Sequence, residues 1–149
     1  MIKKLQQTNN ETAAEIRSVF QVSYAVEAKL LKAIDFPPLK RQLEDFINSK
    51  TQFFGYLTNN ELAGVVEIDH NTERTYIKSL VVAPKFFRQG IASQLLEFVF
   101  DTFDSNVFMV ETGVANDPAT TLYKKFGFKE VKQWDTDHGV RKVKFERNI

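Results

Sequence analysis

Three consecutive segments in the middle of the chain constrain the fold most. Thr51–Leu57 (TQFFGYL) runs up to Asn59-Asn60, Leu62–Asp69 (LAGVVEID) runs into His70–Glu73, and Arg74–Val82 (RTYIKSLVV) is stopped by Pro84. Each is rich in β-branched and aromatic residues and is bounded by turn formers, so each predicts a strand. Connections this short join antiparallel neighbours, so the stretch predicts a meander.

Helical spacing surrounds it. Residues 1–8 predict a short first strand. Thr12 and Glu15 have the spacing of a capping box, and Ile16, Val19, Phe20, Tyr24, Leu30, Leu31 and Ile34 recur at helical intervals behind them. Phe36-Pro37-Pro38 breaks that helix, and Leu39, Leu43, Phe46 and Ile47 give one face of a second. After the meander, a loop at Lys85–Gln89 leads into a helix over Gly90–Phe103, with Ile91, Leu95, Phe98, Val99 and Phe103 on its buried face. Val107–Thr112 (VFMVET) predicts a strand. Asp117 as cap and Pro118 as first helical residue open the next helix, which Gly127 closes in a left-handed conformation with Phe128 behind it. Residues 128–134 and 140–146 predict two last strands, with Asp137-His138-Gly139 between them. The order β-α-α-β-β-β-α-β-α-β-β implies an α/β (mixed α+β) layered architecture, with residues 1–149 as a single domain.

Composition narrows the function. A net charge of +1, from 20 basic and 19 acidic residues, argues against broad nucleic-acid binding, which needs a basic excess. With no Cys there is no disulfide, thiolate metal site or cysteine nucleophile, and a reducing compartment fits. The two histidines are isolated in predicted turns, without carboxylate spacing around them, so no metal site is expected and both read as solvated turn residues. No apolar run follows Met1–Gln7, and no stretch is long enough to span a bilayer, so a cytoplasmic protein without membrane contact is the expectation. Fourteen Phe against one Trp predict an aromatic-rich core.

The chemistry lies in Ser79–Ser93 (SLVVAPKFFRQGIAS), where a strand passes through a loop into a helix. Backbone N–H groups at a helix start have no internal partners, carry partial positive charge and bind phosphate. Gly90 leaves room for close approach, Ala92 is nearly as small, and Arg88 offers a charge-assisted bond; taken alone, the same pattern also reads as plain packing. The Gly-Lys-Ser/Thr ending of a nucleotide P-loop and the glycines of a dinucleotide fingerprint are both missing. A second segment, Val110–Phe128 (VETGVANDPATTLYKKFGF), joins a strand to a capped helix that carries Tyr123 and closes on Gly127-Phe128. Together the two segments resemble the GCN5-related N-acetyltransferase family over about residues 74–128. The first resembles the pyrophosphate loop, Arg/Gln-x-x-Gly-x-Gly/Ala, with Phe87 in the Arg/Gln position and Arg88 beside it. The second resembles the family's following motif in Asn116, Leu122-Tyr123 and Gly127-Phe128.

The resemblance implies a mostly antiparallel twisted sheet with one splayed parallel strand pair, helices on both faces, and acetyl-CoA as acyl donor. Its pantetheine arm would run between the strands ending near Leu80, Val81 and Val82 and near Val107–Thr112. Its pyrophosphate would rest on Arg88, Gln89, Gly90, Ile91, Ala92 and Ser93, and a backbone N–H near Val82 would donate to the oxyanion. The acceptor would be a primary amine, a small molecule or a peptide N-terminus, attacking directly in a ternary complex. An amine with a pKa of about 10.4 must lose a proton first, and the departing sulfur must gain one. Tyr123 is the implied acid, Asn116 a polar contact to cofactor or substrate, and Glu111, twelve residues before Tyr123, the implied base, with Glu67 and Asp69 as rivals. In the family the region of Phe36-Pro37-Pro38 and the last hairpin loop with His138 border the acceptor, and last-strand pairing allows a homodimer. The other function compatible with these residues is an acetyl-CoA-binding sensor without catalysis.

Overall fold

The computed structural model describes residues 1–149. Seven strands form one sheet: β1 (Ile2–Leu5), β2 (Gln52–Thr58), β3 (Glu61–His70), β4 (Arg74–Val82), β5 (Val107–Gly113), β6 (Lys129–Asp135) and β7 (Arg141–Asn148), in the spatial order β1-β2-β3-β4-β5-β7-β6. All neighbours are antiparallel except β4 and β5. Four helices cover it: α1 (Asn10–Leu31), α2 (Leu43–Ile47), α3 (Ile91–Thr102) and α4 (Asp117–Lys125). This is the architecture the resemblance implied. No helix is long and apolar enough to cross a membrane.

Two apolar layers sandwich the sheet. Beneath α1 and α2, Ala13, Ile16, Val19, Phe20 and Phe46 pack on Phe53, Val65 and Val81. On the opposite face Ile91, Leu95, Leu96 and Val99 of α3 pack on Phe54, Val66, Ile68 and Ile77, and the layer continues through Phe108, Tyr123, Phe128 and Phe145. The expected Phe-rich core is present, with edge-on pairs such as Phe20–Phe46 at 4.9 Å and 89°.

Several helix boundaries differ from expectation. Asn9, not Thr12, caps α1: its side chain accepts from the Thr12 N–H at 3.0 Å. The helix ends at Leu31 on a left-handed Lys32, so Ile34 lies outside it and is exposed. Pro37–Lys40 forms a single 3-10 turn, and α2 is shorter than predicted because Leu39 belongs to that turn. Asn116, not Asp117, caps α4 by accepting from Ala119 N–H at 3.3 Å, which moves Pro118 to the second helical position. The end of α4 matches expectation: Gly127 has φ +88°, and Phe128 N–H returns to Tyr123 O at 3.0 Å.

One irregularity organises the sheet. Glu67 of β3 pairs with Ser79 and Ile68 with Ile77, so Lys78 is an extra residue in β4. A bulge bends its strand and shifts the faces beyond it by one residue. Ile77 accordingly packs in the α3 layer, whereas Val81 packs in the α1 layer. Parallel pairing of β4 with β5 covers only Arg74–Ile77 against Val107–Val110 and stops where the bulge begins. Past that point the two strands diverge.

Candidate active site

The divergence opens a cleft of about 960 Å³ through the middle of the molecule. At one end lies the start of α3. Gly90 caps it in a left-handed conformation, φ +75°, with no side-chain hydrogen bond and no acidic residue in the first turn. A Cβ on Gly90 would meet nothing within 4 Å, so the glycine serves the backbone angle and leaves the approach open. The first N–H groups of α3 therefore present an uncompensated positive end to the cleft, a fit for an anionic group such as a diphosphate. Gly90, Ile91, Ala92, Ser93 and Arg88 line this end, whereas Gln89 is exposed in the loop and does not reach the cleft wall. Phe87, in the position where the resembling motif has Arg or Gln, also lines it, and Arg88 has a left-handed backbone, φ 65°.

Leu80, Val81 and Val82 form the β4 side of the cleft. N–H groups alternate direction along a strand. Ala83 N–H is bonded to Ala63 O of the β3 side at 2.8 Å, so that of Val82 is turned toward β5.

Tyr123 lies across the cleft from β4, its ring edge-on to Phe128 at 5.6 Å and tilted against Phe145 at 6.0 Å. The returning bond from Phe128 fixes the turn of helix that carries it. Burial first, and then the neighbouring Tyr24 and Glu27, push its phenol above the ordinary value. The hydroxyl thus stays protonated at any physiological pH, and the same shift makes it a weaker acid than a free phenol. Asn116 is within the site as well: beyond capping α4, its Nδ2 donates to Glu27 Oε1 at 2.6 Å.

Two carboxylates reach the other end of the cleft. Glu111 has both oxygens committed: Oε2 accepts from the Tyr76 hydroxyl, and Oε1 lies 3.2 Å from Lys142 Nζ. Burial would raise its pKa, but the Tyr76 bond and the Lys142 and Lys144 charges outweigh that and hold it below the usual carboxylate range. Glu27, on α1, is the opposite case. Asn116 and Thr112 (3.4 Å) both donate to Oε1, and Oε2 is left without a protein partner. Burial raises its pKa, against the pull of those two bonds and of Lys142.

The rivals considered for Glu111 are elsewhere. Glu67 is buried beneath α1 and saturated by Arg41 (2.8 and 3.0 Å), Thr51 (2.7 Å) and Ser79 (3.1 Å), which hold its pKa down against the burial that would raise it. Asp69 is half exposed, 3.7 Å from Arg74. Neither lines the cleft. The histidines are not solvated turn residues. His70 ends β3, packs on Phe103 at 4.8 Å and shares Nδ1 with Thr75 (2.8 Å) and Ser105 (3.2 Å). His138 does sit in the last hairpin loop, but its ring is tilted against Phe36 at 5.8 Å and lines the cleft, its buried Nδ1 unbonded and 3.5 Å from Asp137 Oδ1. Phe36, Leu31 and Val140 form a small apolar cluster behind it, and Ile34 N–H donates to His138 O at 2.8 Å. The Phe36-Pro37-Pro38 segment and the last hairpin are therefore one continuous wall of the cleft.

Sequence reasoning missed Glu27, Tyr24, Tyr76 and Lys142. One signal for Glu27 was available: Tyr24, Glu27, Ala28 and Leu31 follow helical spacing, which puts a carboxylate on the packed stripe of α1.

A family model described as an acetyltransferase (GNAT) domain matches residues 9–149. The UPF0157 protein YqkA of Bacillus subtilis is 35% identical over 141 residues, which cover 94% of this chain and 41% of that protein. The chain thus spans about two fifths of the length of that curated relative. Among solved structures, the ribosomal-protein-S18-alanine N-acetyltransferase of Escherichia coli superposes with a TM-score of 0.78 at 19% identity, over 100% of this chain and 93% of that one. The PaiA N-acetyltransferase of Thermoplasma acidophilum, in complex with coenzyme A, superposes with a TM-score of 0.73 at 16% identity, over 100% and 99%. At such identities the structural likeness establishes the fold.

Proposed function

The chain belongs to the acetyltransferase (GNAT) family, and from that premise we propose that it transfers the acetyl group of acetyl-CoA to a primary amine in a ternary complex. The observation that carries this reading is one cleft that joins the start of α3, which no side chain caps, the divergent β4–β5 pair and Tyr123. Residues 88 and 90–93 would hold the diphosphate, and Leu80–Val82 would border the arm that leads to the thioester. The donor supplies an activated acyl carbon; the protein aligns it and manages protons and charge. The Val82 N–H donates to the carbonyl oxygen as negative charge develops there, in a site walled by apolar side chains that make such a bond worth more than in water. Tyr123 delivers a proton to the leaving sulfur. Its ordinary pKa of about 10 already exceeds the roughly 8.5 of a thiol. Transfer is thus uphill in solution and depends on the hydroxyl being held against the sulfur as charge builds.

Glu111, kept ionised between Tyr76 and Lys142, supplies negative charge that draws a protonated amine to the far end of the cleft. Taking up a proton would weaken its contacts with both of those partners. The acceptor lies against Phe36, Leu31, Val140 and His138, so an amine carried on an apolar or peptide body fits better than a polyanionic one. The E. coli structural neighbour is named as an N-acetyltransferase of a ribosomal-protein alanine, which makes a peptide beginning in alanine the first acceptor to try.

The test is release of free CoA from acetyl-CoA with a short peptide beginning in alanine, alongside a panel of small primary amines. Acceptor-dependent release, with the acetyl group recovered on the amine by mass spectrometry, is the expected result. A folded protein that binds acetyl-CoA yet transfers to none of these would overturn the catalytic reading.

A further inference from the structure

The cleft holds two carboxylates in opposite states, and only one has an oxygen to spare. Glu111 is closed off by Tyr76 on one oxygen and Lys142 on the other. Glu27 has its Oε1 fixed by Asn116 and Thr112, which orient the group, and its Oε2 uncommitted. From this geometry we propose that Glu27 of α1, through Oε2, is the group that removes the proton from the acceptor amine.

The proposal rests on the acetyl-transfer reading and assigns its missing step. In that step a protonated amine gives one proton to Glu27 Oε2, so an ammonium and a carboxylate become a neutral amine and a carboxylic acid. The amine lone pair then forms the N–C bond to the acyl carbon while the C–S bond breaks. The sulfur takes the Tyr123 proton, and the proton displaced from the new amide nitrogen restores Tyr123 through solvent. Glu27 returns its own proton to solvent when product leaves.

Placement agrees with this role. Glu27 lies near enough to Tyr24 and Tyr123 for its charge to raise both phenols, so carboxylate and acid face one volume from α1 and α4. The ionisable groups around it are Tyr24 on its own helix, Tyr123 on α4 and Lys142 on β7; Thr112 and Asn116 add only neutral bonds. Where two acids in one site are pushed apart, the raised one is suited to exchange protons and the lowered one to stay charged. Glu27 is raised and Glu111 lowered.

A buried carboxyl with a raised value also has a thermodynamic signature. The folded state binds its proton more tightly than the unfolded chain, so Glu27 lowers stability as pH rises from about 4.3 through its folded value, and the cost persists above it. Glutamine at this position can still accept from Asn116 and Thr112 and carries no such cost.

The experiment compares the parent with E27Q and E111Q, using acetyl-CoA and the alanine-initiated peptide. E27Q is expected to lose about a hundredfold in kcat with acetyl-CoA affinity kept, and to lose the rise of kcat with pH. E111Q is expected to raise KM for the peptide more than it lowers kcat. In urea, E27Q is expected to be more stable than the parent at pH 7 and equal to it near pH 4. E27Q turnover within a few-fold of the parent overturns the proposal. So does a loss of turnover accompanied by lost acetyl-CoA binding or a lower urea midpoint, which marks a merely structural residue. If the parent itself transfers to no amine, the acetyl-transfer reading fails separately, and the urea comparison still decides: an E27Q no more stable than the parent at pH 7 removes the raised, available carboxylate the proposal needs.

Discussion

Tyr123 shows how one side chain is placed by several local rules at once. Its ring belongs to the core layer with Phe128 and Phe145, and the left-handed Gly127 allows the bond that locks its helical turn. The hydroxyl is a small addition to a packing unit that phenylalanine would fill equally well. Tyr123→Phe is therefore expected to keep acetyl-CoA affinity and a urea midpoint at least equal to the parent, while turnover falls about a hundredfold. Calorimetry with acetyl-CoA and the CoA-release rate separate the two effects. This residue was legible in the sequence, because a motif and a helix end mark it together. Glu27 was marked only by its place on the packed stripe of α1, since its partners Thr112 and Asn116 lie more than eighty residues further along the chain. The Asn116 cap was misplaced by one position because Asp117-Pro118 is also a good helix start, and only the structure shows which side chain accepts.

At the level of elements, the order of strands and helices was readable because Pro, Gly and Asn punctuate apolar runs of clear period. The bulge in β4 was not. Thr75, Ile77, Ser79 and Val81 are all buried, so the segment alternates without a break although the face they are buried against changes between Ile77 and Val81. Alternation reports burial and is silent on which layer does the burying. Deletion of Lys78 tests what the extra residue contributes. It preserves the faces of residues 79–82 and removes the bend, so β4 is expected to continue its pairing along β5 and close the cleft. The variant is expected to keep its far-ultraviolet circular dichroism and weaken CoA binding at least about tenfold, or ~1.4 kcal/mol, in calorimetry.

Across the whole molecule, the bulge is held from outside the sheet. Glu67 sits directly opposite Ser79, 2% exposed, and Arg41 reaches it from the connection between the 3-10 turn and α2, with its guanidinium 4.2 Å from the Phe46 ring centre. The 3-10 turn just before it carries Pro37 and Pro38 on the cleft wall, so a buried ion pair couples that wall to the bend in β4. Arg41→Met leaves Glu67 with Thr51 and Ser79 alone and is expected to cost about 3–5 kcal/mol at pH 7. The pH response should also invert. The parent has a depressed carboxyl, so its pairing energy is complete above about 4.3 and fades as pH falls through the lower folded value. In the variant, burial without the cation raises the carboxyl, and stability should increase as pH is lowered from 7 toward about 4.3. Urea midpoints across that range check both statements. None of this coupling was visible beforehand, because Arg41, Thr51, Glu67 and Ser79 fall in four different segments that only the topology brings together.

Four paired positions between β4 and β5 are all that joins strands β1–β4 to strands β5–β7 within the sheet. Mechanically, that makes two stiff plates meeting at a short hinge, with the cleft as the angle between them. A thioester arm seated in that angle, as proposed, would act as a strut, bracing the two plates beyond the four positions where they are laced together.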